Sequence, residues 1–172
     1  MSFLELAERR YSVRKYSAKK VEQEKLLTIL EAGRIAPTAC NKQPVKLIVV
    51  QEKTGLEKIR KGTNIYEAPL AIIVCGEYNT AWIRSYDNKN FADIDTTIVT
   101  DHMMLQAAEL GLGSVWIGYF NPRIIKQEFN LPDNVIPVNI LAIGYADGPA
   151  SSPDRHKQER KSLEDIVIYE TY

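Results

Sequence analysis

The sequence predicts a mixed β-sheet covered by helices on both faces, an α+β arrangement forming one domain over residues 1–172. Apolar runs of strand character alternate with segments of helical periodicity, which sets helices against a sheet. The connections do not repeat as regular βαβ units, so the sheet is mixed and not doubly wound. A chain of 172 residues, 45% hydrophobic and 26% charged, suits a single core that buries about 70% of the unfolded surface.

The elements follow in order. Ser2 and Glu5 have the spacing of a capping box and open a short helix that would bury Phe3, Leu6 and Ala7. A loop from Arg9 to Lys20 carries six basic residues and no acidic one. A helix follows with Leu26, Leu27, Ile29 and Leu30 as its apolar stripe, running towards Ile35, and Pro37 stops it. Val45 to Val50 and Leu70 to Cys75 read as strands, with a short helix from Leu56 to Lys61 between them. Tyr78 to Asn90 is polar and aromatic and takes no assignment. Phe91 to Leu110 is the longest helix, with Ile94, Ile98, Met104 or Leu105, and Ala108 at helical spacing, and Gly111 and Gly113 end it. Ser114 to Phe120 is a strand, Pro122 to Phe129 a helix with proline in its first turn, and Val138 to Tyr145 a strand. The tail ends in Ile166-Val-Ile-Tyr169, the pattern of an added edge strand.

Composition narrows the function. The 22 basic residues match the 22 acidic ones, so the chain lacks the broad positive field of a general nucleic-acid binder. No stretch reaches the ~20 apolar residues of a membrane span. Cys40 and Cys75 form no CxxC pair, which argues against a disulfide framework and against a cysteine-held metal, and makes a reducing cytoplasm the expected compartment. The basic N-terminal segment contains Glu5 and Glu8 and no apolar signal core, so it reads as mature structure.

Common catalytic devices are missing. There is no Walker A loop, no HExxH and no GxSxG, and His102 and His156 lack ligand partners at metal-site spacing. Gly111-Leu-Gly113-Ser-Val-Trp-Ile-Gly118 has the wrong spacing for a dinucleotide fingerprint and leads from helix to strand, the reverse of the order that meets a phosphate. Gly111 and Gly113 suit a helix end, whereas Gly118, inside an apolar strand, marks close approach by a ligand or another backbone. Arg10-Tyr-Ser-Val-Arg14 places two guanidiniums and a hydroxyl within five residues, a set that suits a phosphate or is simply a solvated basic loop. Arg155, Lys157, Arg160 and Lys161 would add to an anion site if the tail folds back.

Four segments in order resemble the nitroreductase family of FMN-dependent oxidoreductases. They are Arg10-Tyr-Ser-Val-Arg-Lys-Tyr16, Ala36-Pro-Thr-Ala-Cys-Asn-Lys-Gln-Pro44, Gly111 to Gly118, and Leu141-Ala-Ile-Gly-Tyr145 followed by Arg160. The resemblance implies a three-layer sandwich that forms a homodimer with FMN at the interface. Arg10, Tyr11, Ser12 and Arg14 would hold the phosphate, ribityl chain and pyrimidine edge, with Arg160 and Lys157 adding charge from the tail. Pro37, Thr38, Ala39 and Asn41 would come from the partner subunit. Trp116, Ile117 and Gly118 would pack on the ring, and no acid–base side chain would be obligatory. NAD(P)H would be the reductant, and a nitroaromatic or quinone the small-molecule acceptor. Reductive dehalogenation, flavin fragmentation and non-enzymatic FMN binding are the alternatives on the same fold.

Overall fold

The capping box closes as predicted. Ser2 Oγ accepts from the Glu5 N–H, and Glu5 accepts in return from the Ser2 N–H at 2.7 Å. It starts α1 (Phe3–Arg9) of the computed structural model, which describes residues 1–172. There follow α2 (Gln23–Ile35), a 3-10 turn (Ala39–Asn41), β1 (Val45–Val50), α3 (Lys53–Arg60), β2 (Leu70–Glu77) and a hairpin of β3 (Ile83–Arg84) and β4 (Lys89–Asn90). The chain continues through α4 (Ala92–Glu109), β5 (Gly113–Ile117), α5 (Pro122–Glu128), β6 (Val135–Gly144), α6 (Arg155–Glu159) and α7 (Leu163–Ile166).

The main sheet has the order β1-β2-β6-β5, and every strand pair is antiparallel. Its one parallel pairing is a bridge between Ser12 and Ser114, where the basic loop runs along β5, so the sheet is mixed only at that edge. The residues of β2 alternate between two cores. Ala71, Ile73 and Cys75 face Leu56, Ile59 and Ile125 on the α3–α5 side, while Leu70, Ile72 and Val74 face Leu26, Ile29, Val99 and Met103 on the α2–α4 side. Helices therefore cover both faces, and a strand buried on both needs no polar alternation. β6 starts before Pro137, earlier than predicted. A register shift between Val74 and Cys75 and the absence of a β5 partner there accommodate a residue that cannot donate to the ladder.

Several expectations change. Phe3 is 70% exposed, and α1 buries no residue fully. On α2, Leu26 and Ile29 are buried, but Leu27 and Ile35 are exposed. On α4 the predicted stripe of Ile94, Ile98, Met104 or Leu105, and Ala108 is only half-buried. The buried row is Ala92, Asp95, Thr96, Val99, Thr100, Met103 and Ala107. Thr96 and Thr100 donate to the carbonyls of Ala92 and Thr96, both at 2.8 Å, so their hydroxyls enter the core already satisfied. Tyr78 to Asn90 forms the β3–β4 hairpin, closed by Trp82 edge-on to Phe91 at 4.7 Å. Gly111 has a φ of +76° and ends α4 as predicted, whereas Gly113 belongs to β5 and is needed for space: a Cβ there would lie 2.6 Å from Val13. Ile166 to Tyr169 forms no strand. A second capping box, Ser162 with Asp165, turns the chain into α7 instead, and Tyr169 is left 84% exposed. No helix is long and apolar enough to cross a membrane.

Candidate active site

The basic loop is tied to the sheet by its backbone, which decides where its side chains go. Arg10 ends α1, Val13 donates to the Ser114 carbonyl at 2.9 Å, and the Tyr16 hydroxyl reaches the Ala142 carbonyl at 3.2 Å. Val13 and Tyr16 are buried, Ser12 and Tyr11 half-buried, and Arg14 exposed. Beside this edge the Ser114 hydroxyl is buried with no hydrogen-bond partner.

The tail does fold back. Arg155 donates to the Arg10 carbonyl at 2.6 Å, and the His156 Nε2 lies 3.1 Å from the Glu8 carbonyl. Burial, and then the nearby Arg155 and Arg160, hold the Arg10 guanidinium below its usual range, with Asp101 acting in the opposite sense. Arg10, Arg160 and Asp101 line a groove of about 650 Å³ between α1, α4 and the tail. Glu8 lines it too, so the groove carries two guanidiniums and two carboxylates, and the crowding of Arg10 by Arg155 and Arg160 is the part that favours an anion. Lys157 stays outside the group. It pairs with Asp154 at 3.0 Å with its side chain 83% exposed, and Arg155 occupies the position expected of it.

A second, larger cleft of about 760 Å³ opens where β5 ends. Arg14, Trp116, Ile117 and Gly118 all line it. Ile117 is buried, Trp116 half-buried and Gly118 exposed, and a Cβ added to Gly118 would meet nothing within 4 Å. The opposite wall is laced to this one: Asn121 donates to the Gly62 carbonyl at 2.9 Å and Thr63 Oγ1 to the Tyr119 carbonyl at 2.8 Å. Sequence reading missed that wall, in which Asn64 accepts from the Tyr66 N–H at 2.7 Å and Tyr66 takes a φ of +56°. The signal was an Asx turn just before an apolar strand. No acidic residue lines the cleft. Tyr11 lies between the two regions, lining one small pocket with Arg10 and another with Arg14.

Pro37, Thr38, Ala39 and Asn41 are not brought to that cleft. Their loop is a strained turn in which Cys40, Asn41 and Gln43 have φ of +49° to +51°. Thr38 Oγ1 accepts from the Gln43 N–H at 3.0 Å, and Asp95 Oδ1 accepts from the Ala39 N–H at 2.9 Å. Asp95 is 1% exposed, and its second oxygen has no partner. An acidic residue in the first turn of a helix ordinarily reads as complementing the dipole, so its burial under a loop gave no sequence signal. The end of β2 adjoins the same loop, since the Glu77 N–H donates to the Pro44 carbonyl at 2.8 Å.

A family model for the nitroreductase family matches residues 7–63 and 60–145. The chain belongs to this family. The crystal structure of a nitroreductase family protein from Clostridium difficile 630 superposes with a TM-score of 0.98 at 57% identity, covering all of both chains. A relative from Methanothermobacter thermautotrophicus, whose name joins NADH dehydrogenase with NAD(P)H nitroreductase, is 35% identical over 89% of this chain and 80% of its own. The FMN reductase [NAD(P)H] of Bacillus subtilis is 33% identical over 83% of this chain and 65% of its own. Arg10, Ser12 and Arg14, the loop from Pro37 to Asn41, and Trp116 to Gly118 all fall inside the matched segments, whereas Arg160 lies beyond them. The family model stops at residue 145, whereas the likeness to the Clostridium difficile structure runs through the tail, where α6 docks beside Arg10.

Proposed function

We propose that this nitroreductase-family chain is an FMN-dependent oxidoreductase that takes two electrons from NAD(P)H and passes them to a nitroaromatic, quinone or similar small acceptor. The supporting observation is a groove holding Arg10 and Arg160 and a cleft beside Gly118, with Tyr11, Ser12 and Arg14 following Arg10 along the β5 edge. A nucleotide flavin has the same two ends, a dianionic phosphate and a flat ring. Arg10 is crowded by Arg155 and Arg160, the cleft has space over Gly118 that any side chain would fill, and the buried Ser114 hydroxyl still lacks a partner. The residues fit the group.

Arg10 and Arg160, with Arg155 beside them, would hold the phosphate through charge-assisted bonds. Tyr11 and Ser12 would follow the chain of the ligand along β5, Arg14 would face the pyrimidine edge, and Trp116, Ile117 and Gly118 would bed the ring. The bound flavin supplies hydride acceptance and delivery at its N5. Arg14, which has no carboxylate partner, favours negative charge developing in the cleft. Neither a histidine nor an acid lines it, so protons would come from solvent.

The loop carrying Pro37, Thr38, Ala39 and Asn41 would complete the cleft of a second copy, giving a homodimer with shared sites. Its face would be apolar: Phe3, Leu4, Leu27, Ile35 and Ile168 are exposed, beside the half-buried stripe of α4. We place the enzyme in the cytoplasm, where two unpaired cysteines persist as thiols. The test is anaerobic reduction. Protein reconstituted with FMN should lose its visible flavin absorbance on adding NADH or NADPH and regain it with a nitroaromatic or quinone. Failure to bleach with either nucleotide overturns the reading.

A further inference from the structure

Several cleft residues are left without a role once the flavin is assigned, two of them exposed and able to meet a further ligand. Tyr119 and Arg123 stand on the wall beyond Gly118, on backbone that is held firmly. The Tyr119 carbonyl accepts from Thr63, and Asn121 ties itself to Gly62 while its side chain accepts from the Arg123 N–H at 3.0 Å. On this fixed backbone the Tyr119 ring is 96% exposed. The Arg123 guanidinium is exposed and makes neither an ion pair nor a hydrogen bond. Its neighbours on α3 and α5 are occupied: Arg60 pairs with Glu67 at 2.9 Å, Lys61 with Glu128 at 2.7 Å and Lys126 with Asp133 at 3.4 Å, and Lys58 lies 5.9 Å from the centre of the Phe129 ring.

A free guanidinium and an exposed aromatic ring lining the same acid-free cleft have the chemistry of a nucleotide site. Arginine offers a forked, permanently charged donor to phosphate oxygens, and a tyrosine face stacks on a base. The flavin phosphate is already provided for at Arg10 and Arg160, so the anion at Arg123 must belong to a second molecule. We infer that Tyr119 and Arg123 form a recognition rim for the reduced nicotinamide dinucleotide, Arg123 taking one of its phosphates and Tyr119 packing on its adenine. This rests on the oxidoreductase reading above and adds to it the residues that select the donor. Arg123 is a binding residue and touches no reacting atom.

The test uses FMN-loaded protein and two readouts. In the first, calorimetric titration with ADP-ribose, which has the phosphates and adenine but no nicotinamide, should show binding that Arg123→Ala weakens about 10- to 100-fold, the range of a lost charge-assisted contact. Tyr119→Ala should weaken it several-fold and Tyr119→Phe hardly at all. Inorganic phosphate and adenosine titrated alone should bind far more weakly than ADP-ribose. If either alone matches ADP-ribose, the joint site is wrong. In the second, flavin reduction by NADH and NADPH is compared with reduction by N-benzyl-1,4-dihydronicotinamide, which has no phosphate. Arg123→Ala should raise KM for the dinucleotides with little change in kcat, and should leave the rate with the phosphate-free donor and FMN retention as they were. A larger loss with NADPH would put the 2′-phosphate on Arg123, and equal losses the pyrophosphate. Unchanged ADP-ribose affinity in Arg123→Ala, or equal losses with all three donors, overturns the inference while the oxidoreductase reading stands. No reduction of the parent protein by any donor overturns both.

Discussion

The cleft beside β5 and the loop from Pro37 to Pro44 differ in what holds them. The cleft is held mainly through backbone groups, the Val13 N–H on the Ser114 carbonyl and the Asn121 N–H on the Gly62 carbonyl, with one side chain, the Thr63 hydroxyl, on the Tyr119 carbonyl. Its side chains, Arg14 and Trp116 among them, are left free for a ligand. The loop adds side-chain anchors, Asp95 on Ala39 and Thr38 on Gln43, to its backbone bonds from Asn41 to Thr38 and from Lys42 to Ala39, against the cost of three residues at positive φ. A region that binds needs its polar side chains unspent. One that presents a fixed shape to another surface can use them internally. The cleft is thus expected to be sensitive in ligand affinity and the loop in stability.

The strongest test of that contrast is Gly118→Val. A Cβ at this position points into empty space, so folding should be nearly unaffected while flavin is excluded. Colourless protein with an unchanged melting temperature is the expected result, and retained yellow colour would break the assignment of the ring. Arg10→Ala and Arg160→Ala come next. Each should weaken FMN binding by about 1.5–3 kcal/mol, measured by fluorescence titration, with little effect on the melting temperature. Asp95→Ala should do the converse. Loss of a buried acceptor that serves the Ala39 N–H costs about 1–3 kcal/mol of stability, readable by denaturant unfolding, and Asp95→Asn, which keeps an acceptor, should recover part of it. If Asp95→Ala leaves the unfolding midpoint where it was, the loop is not held from α4.

Smaller effects sharpen the comparison. Glu22, which leads into the helix before the loop, accepts from the Tyr145 hydroxyl and pairs with Lys19, and these partners depress its carboxyl to about 2. A depressed folded-state value stabilises the fold above the unfolded carboxyl's range and is lost as pH falls towards 2, so Glu22→Gln should flatten the acid limb of the stability profile slightly. Thiol labelling gives the mildest readout. Cys40 is exposed in the loop and Cys75 buried, its thiol pushed up to about 12, so one thiol should react quickly and the other only on unfolding. Slower labelling of Cys40 as protein concentration rises would show the loop entering an interface.

Much of the frame was legible in the chain. Val45 to Val50 is the observed β1, because a β-branched run after Pro44 leaves the backbone little choice. The helix starts at Ser2 and Pro122 were readable from capping chemistry that acts over three residues. What could not be read depends on contacts distant in sequence. The buried face of α4 is marked by threonines that bond within their own helix, so polarity pointed to the wrong stripe. Arg155 and Lys157 are two residues apart, and only the docking of α6 decides which of them meets Arg10. Asp95 acquires its role only through the packing of α4 under the loop, whereas Asn64 and Tyr66 form a local Asx turn that the residue types signal. The run from Ile166 to Tyr169 has strand composition, but an edge must be present to pair with it.

The junction of the two termini bears on when the protein becomes competent. Glu8 and Arg10 meet His156 and Arg155 across nearly the whole chain, so the groove that holds Arg10 and Arg160 is closed only once α6 has docked. A chain cut before α6 would keep every strand of the sheet but lose this junction. Flavin affinity that fell in such a truncation while the sheet still unfolded cooperatively would separate the assembly of the proposed site from the assembly of the fold.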